Sequence, residues 1–232
     1  MQHTIQHAPA FSTLEIQFQA GETLATQPGA MIAMTPGFEV LSGMGTQMKG
    51  GAGVTKAVRS FFAGENFFTA IYKAKRDGEQ LILGAAHPGD IRSLPVVEGD
   101  PTPWLLANGA FLACSSTVTL ELKYEGVRGF MATRGFFLMR PMGTGEVFVA
   151  CHGALVERTL GEGERFVLDN RHLIAVTEGM KRELVKVTSS VRHSIFSGEG
   201  VVNRYTGPGK VLYQTRAFQS QGFFRNMLGF AT

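Results

Sequence analysis

Three short stretches of this chain repeat one apolar pattern, and that recurrence limits the possible folds more than any other feature. Gly29-Ala-Met-Ile-Ala-Met34, Gly109-Ala-Phe-Leu-Ala-Cys114 and Arg171-His-Leu-Ile-Ala-Val176 each set an apolar pair before an alanine and a further apolar residue. The first and third follow the same turn: Gly21-Glu22 begins eight residues before Gly29, and Gly163-Glu164 begins eight before Arg171. Self-similarity at such spacing is the mark of one structural unit used repeatedly. A strand, a glycine turn and a second apolar strand follow each copy. The turns are Asp77-Gly78, Gly143-Thr-Gly145 and Gly207-Pro-Gly209.

The elements within each copy read as strands. Val118, Leu120, Leu122 and Tyr124 alternate with Thr119, Glu121 and Lys123, and Leu14, Ile16 and Phe18 alternate with Thr13, Glu15 and Gln17. Period two with one polar face indicates antiparallel sheet with one side in water. The chain carries 29 glycines, as many tight turns between short strands require. The reading is therefore all-β: three repeated β-units, sandwiches or small barrels, about a pseudo-threefold axis, sharing one joint core and one globular body. Unit one spans 10–98, unit two 99–160 and unit three 161–217, with an apolar and basic tail over 218–232. Val97-Glu-Gly-Asp-Pro-Thr-Pro-Trp104 is a linker, because its prolines cannot continue a central strand.

One segment departs from this pattern. Val54, Ala57, Val58, Phe61 and Phe62 recur at helical spacing, which predicts a short amphipathic helix over 49–63. No acidic residue lies between Glu39 and Glu65, while Lys49, Lys56 and Arg59 do. The tail after Glu199 is also free of acids and carries Phe223, Phe224 and Arg225. Basic charge beside large apolar side chains suits an anionic membrane or a protein partner. The structural alternative is that the helix caps a sheet edge and the tail packs on a neighbouring subunit.

Composition excludes several classes. Hydrophobic residues at 44% and charged residues at 18% exclude a disordered chain. A net charge of +3 is too small to indicate a nucleic-acid partner. Cys114 and Cys151 lie in apolar strand-like runs and read as buried free thiols of a reducing compartment. No apolar run approaches the ~20 residues of a membrane span, and the N-terminus lacks the pattern of a signal peptide. The expected location is the cytoplasm, with the inner membrane surface as a peripheral docking place if the basic segments bind lipid.

These residues together resemble the altered-inheritance-of-mitochondria family, whose members look like the tryptophan-RNA-binding attenuation protein (TRAP-like). The resemblance is carried by Pro28-Gly-Ala-Met, Phe61-Phe-Ala-Gly-Glu-Asn-Phe-Phe, His87-Pro-Gly-Asp, Gly109-Ala-Phe-Leu-Ala, His152-Gly-Ala-Leu-Val-Glu, Phe196-Ser-Gly-Glu-Gly and Thr206-Gly-Pro-Gly-Lys-Val. It implies a threefold-repeated β-sandwich related to the double-stranded β-helix, a bacterial member of unknown function, and a mitochondrial biogenesis branch tied to inner-membrane organisation. Unit two departs from the pattern, having Thr133-Arg-Gly135 where the others have a Gly-Glu turn.

No catalytic motif accompanies the repeats. A cupin-like metal site would need paired histidines on a strand, and no His-x-His exists; His87, His152, His172 and His193 stand singly. A nucleophile elbow and a phosphate loop are also missing. The turns Gly64-Glu65-Asn66 and Gly198-Glu199-Gly200 could seat a ligand, but turn chemistry alone accounts for their residue types. The reading is a non-enzymatic β-scaffold without cofactor, working as a homo-oligomer (trimer favoured) on a protein partner or an anionic membrane. A cupin-like ligand or metal binder, and an RNA binder by fold analogy, are the alternatives.

Overall fold

The computed structural model describes residues 1–44, 48–49, 68–107, 109–123, 138–186 and 201–217. Apart from one 3-10 turn at Asn170–His172, its regular elements are strands. They are β1 (Gln2–Gln6), β2 (Thr13–Phe18), β3 (Thr23–Thr26), β4 (Met31–Met34), β5 (Phe38–Met44), β6 (Met48–Lys49), β7 (Phe68–Ala74) and β8 (Glu79–Gly84). Then come β9 (Ile91–Val96), β10 (Trp104–Ala107), β11 (Phe111–Ser115), β12 (Val118–Lys123), β13 (Leu138–Gly143) and β14 (Gly145–Ala150). The last are β15 (Leu155–Leu160), β16 (Arg165–Leu168), β17 (Leu173–Thr177), β18 (Lys181–Lys186), β19 (Val201–Thr206) and β20 (Gly209–Gln214). The alternation in β2 does what its sequence demands: Leu14, Ile16 and Phe18 are buried, and the residues between them are not.

One pairing order recurs among the described strands. β2, β8 and β4 lie side by side, as do β9, β14 and β11, and again β15, β20 and β17. Other strands form β3–β7–β5, β10–β13–β12 and β16–β19–β18, while β1 is added beside β2 and β6 beside β12. The three repeated motifs also share a local irregularity. Against β8, both Met31 and Ala33 are paired across a single step, leaving Ile32 over; β11 leaves Leu112 over against β14, and β17 leaves Ile174 over against β20. One extra residue in a strand makes a β-bulge, which bends the strand and strengthens its twist. The same bulge at the residue before the same alanine explains why the motif recurs in the sequence.

Strands also join neighbouring groups into longer sheets. β3 pairs with β11 and β10 pairs with β17, both antiparallel, giving a six-stranded sheet β5-β7-β3-β11-β14-β9 and a seven-stranded sheet ending at β15. The sheet containing β11 and β14 has different partners on its two faces. Ala113 and Phe148 point into an apolar cluster with Leu14, Leu24 and Leu81, while Cys114, Val147 and Val149 point into another with Leu106, Ala175 and Leu212. Among the described residues the buried side chains thus fall into two clusters sharing one sheet. Period-two geometry, which sends neighbouring residues to opposite faces, is the reason.

Two expectations are modified. β9 lies inside the range given to unit one but pairs with β14, and β15 lies inside unit two but pairs with β20. Lys49, placed at the start of a helix, is instead in β6, where its backbone lies opposite Glu121 in a parallel pairing with β12. Residues 50–63 of that segment lie outside the described residues.

Candidate functional site

A cleft of about 350 Å³ opens where the loops after β8 and β14 meet the end of β20, and His87, His152, Arg171 and Gln214 are among its lining residues. The loops are laid together by backbone. Gly89 and Gly153 form a parallel bridge, Cys151 N donates to Asp90 O at 3.0 Å, and Gly153 N donates to Pro88 O at 3.1 Å. A Cβ on Gly89 would fall 1.7 Å from the Cys151 carbonyl oxygen, so only glycine permits this approach. The same contact brings His87 and His152 together, with ring centroids 4.5 Å apart.

Gln214 fastens the other wall. Its buried amide accepts from His152 N at 2.9 Å and donates to Arg171 O at 2.8 Å. Its own backbone carbonyl lies 2.7 Å from His172 Nδ1. The 3-10 turn below is capped by Asp169, which accepts from Arg171 N at 2.9 Å and from its guanidinium at 3.0 Å. Burial pushes the Asp169 carboxyl upward, but the hydrogen bonds and charge of Arg171 outweigh it and hold the pKa below the usual value. Desolvation, reinforced by His87, holds His152 below the ordinary histidine value and so favours its neutral form.

Both thiols are buried. Burial pushes Cys151 up to about 11 and Cys114 up to about 12, so both stay protonated at neutral pH. Cys151 Sγ further donates to Gly153 O at 3.2 Å. Among the described residues no three His, Cys, Asp or Glu side chains cluster as a metal would require. Polar and apolar residues share the lining, and the Gln214 amide, bonded to His152 and Arg171, ties the loop after β14 to the 3-10 turn.

Lys49 is in β6. Lys56, Arg59, Phe61, Phe62, Gly64, Glu65, Asn66, Gly198, Glu199, Gly200, Phe223, Phe224 and Arg225 lie outside the described residues. The meeting of His87 with His152 was missed. Its only trace in the sequence is that both histidines stand beside a glycine-bearing loop directly after an apolar strand, in His87-Pro-Gly and His152-Gly. No helix among the described residues is long and apolar enough to cross a membrane, which leaves strand-built spans untouched.

Comparison with known proteins places the chain in a family. The model of the mitochondrial biogenesis AIM24 family matches residues 3–216, and the chain belongs to that family. An uncharacterized protein of Streptococcus pyogenes serotype M6 is 27% identical over 223 residues, covering 93% of this chain and 86% of the relative. An X-ray crystal structure of another Streptococcus pyogenes protein has the same fold, with a TM-score of 0.72, 24% identity, and coverage of 98% of this chain and 97% of that one.

Proposed function

Starting from that membership, we propose that the chain is a non-enzymatic, TRAP-like β-scaffold of three six-stranded units, working as a homo-oligomer that offers its surface to a protein partner or an anionic membrane. The observation that carries this reading is the recurrence of one pairing scheme. Leaving aside the two-residue β6, in each unit the first, sixth and third strands pair, as do the second, fifth and fourth. On this scheme the units run 13–84, 91–150 and 155–214, which moves β9 into the second unit and β15 into the third. A chain assembled from three equivalent sandwiches devotes its sequence to surfaces and edges, and its reactive groups are absorbed in holding loops together. The cleft beside His87 and His152 supports the same view, because its polar atoms fasten one unit to the next.

Light scattering on the purified full chain tests the assembly. The expected mass is a multiple of the 25.1 kDa chain, with three as the multiple, retained on dilution through the micromolar range. A monomer throughout that range overturns it. Co-sedimentation with vesicles, with and without anionic lipid, tests the membrane surface; equal pelleting in both leaves the protein partner as the target.

A further inference from the structure

We propose that β4 of one copy pairs with β16 of the next, so that identical chains join head to tail through the junction each chain already makes twice within itself. This rests on the homo-oligomeric reading above and names the surfaces that carry it. The two internal junctions have one register. Leu24, Ala25 and Thr26 lie opposite Ser115, Cys114 and Ala113, and Trp104, Leu105 and Leu106 lie opposite Thr177, Val176 and Ala175. Both are set by the alanine that follows the bulge. Transferred to the third pair of strands, the rule puts Phe166, Val167 and Leu168 opposite Thr35, Met34 and Ala33.

Among the described residues that third junction is not made: β4 pairs only with β8, and β16 only with β19. Three apolar residues of these strands are bare where their counterparts are covered, while Leu168 is buried within its own chain. Val167 is 52% exposed, against 1% for Ala25 and 3% for Leu105. Met34 is 42% exposed, against 1% for Cys114 and 0% for Val176. At the bulge, Ile32 is 57% exposed, against 0% for Leu112 and 4% for Ile174. Open, apolar strand edges invite a further strand. The strand they fit is the other one, because joining them yields β2-β8-β4-β16-β19-β18, with β1 added beside β2, which is the order β9-β14-β11-β3-β7-β5 and β15-β20-β17-β10-β13-β12 of the other two junction sheets.

The two edges differ from each other, so the contact is heterologous, and identical heterologous contacts close into a ring when the rotation permits. A ring also leaves neither edge free, which removes the aggregation hazard of an open one.

Cysteine pairing in co-expressed full chains tests the register. One chain carries Met34→Cys and the other Val167→Cys, with different affinity tags. Directly opposed positions of an antiparallel pair lie within disulfide reach, and the two native thiols are buried. Mild oxidation is expected to yield a cross-linked pair carrying both tags, and none when either variant is expressed alone. Cross-linking within a single-variant sample would mean like edges meet, and overturns the proposal. A disulfide at monomer mass in the Met34→Cys/Val167→Cys double variant would mean the edges close within one chain, and also overturns it. An oligomer that never cross-links sinks this interface while leaving the oligomeric reading intact, whereas a monomer sinks both. Val167→Lys gives a second readout: the assembly falls to monomers while its far-ultraviolet circular dichroism stays unchanged.

Discussion

The strands β10 and β16 occupy matching places in the pairing scheme and meet different fates. Leu105 of β10 is covered by Val176 across the junction with β17, while Val167 of β16 has no strand beyond it among the described residues. Local structure is the same, since each strand is four residues long and pairs antiparallel with a strand that follows later in its unit. The difference therefore lies in what covers the edge, not in what makes the strand. Burial at these positions is a property of the junction, and it follows that apolar side chains at a bare edge contribute to stability only when something docks.

The sharpest way to break this comparison is to truncate both positions. Leu105→Ala removes buried methyl groups from the larger apolar cluster and should cost about 2–5 kcal/mol, read as a lower urea midpoint. Val167→Ala, measured at concentrations low enough to keep chains apart, should stay within about 0.5 kcal/mol of wild type, as exposed substitutions do. Equal costs would mean that Val167 is already covered inside its own chain, and the distinction between the two strands would vanish.

Thiol chemistry sharpens the same contrast at the partner strands. Cys114 of β11 and Met34 of β4 hold equivalent places, one covered and one bare. Burial pushes Cys114 to about 12, which leaves a thiolate fraction on the order of one in ten thousand at pH 8. A cysteine at position 34 should react with a maleimide at least ~1,000-fold faster in the dilute chain, because an exposed thiol has a pKa near ~8.5. Raising the protein concentration should then slow labelling at position 34 and leave Cys114 as it was. Fast labelling of Cys114 in the native protein would show that the β3–β11 junction opens readily.

How much of this was legible in the sequence depends on the range of the cause. The alternation Leu14-x-Ile16-x-Phe18 and the apolar-Ala-apolar motifs at Met31, Phe111 and Leu173 report local geometry, and strands form at each of them. Unit boundaries were drawn at the proline-bearing stretch 97–104, yet β9 before it pairs with β14, about fifty residues away, which no local signal announces. The bareness of β4 was hidden for the same reason: Met31-Ile-Ala-Met34 reads like its buried counterparts, and only the fate of β16 distinguishes it. Likewise His87 and His152 stood apart in sequence until the close passage at Gly89 and Gly153 joined their loops. Metal ligation had been judged from spacing along one strand, and that criterion does not see histidines brought together from two loops.

The smallest effect concerns pH, and it separates the covered junctions from the bare edges by their dependence on concentration. His152 is held below the ordinary histidine pKa of about 6.5 by burial and by His87. The unfolded chain therefore takes up this proton at a higher pH than the folded one. Between the two pKa values the unfolded state binds more protons, so stability rises with pH there. The contribution is complete above about pH 7 and is lost as pH falls through the ordinary value toward the folded one. Urea midpoints taken between about pH 5.5 and 7 should slope upward in wild type and flatten in His152→Asn, which cannot titrate. Of the other titratable groups lining the cleft, His87 is removed in a parallel variant, His87→Asn, while Cys151 stays protonated and Arg171 charged across this window. Since His152 sits where loops of one chain are tied together, its slope should be the same in dilute and concentrated protein. A slope that grew with concentration would place the titrating contact between chains, and would shift the pH-sensitive part of the molecule from its covered junctions to its edges.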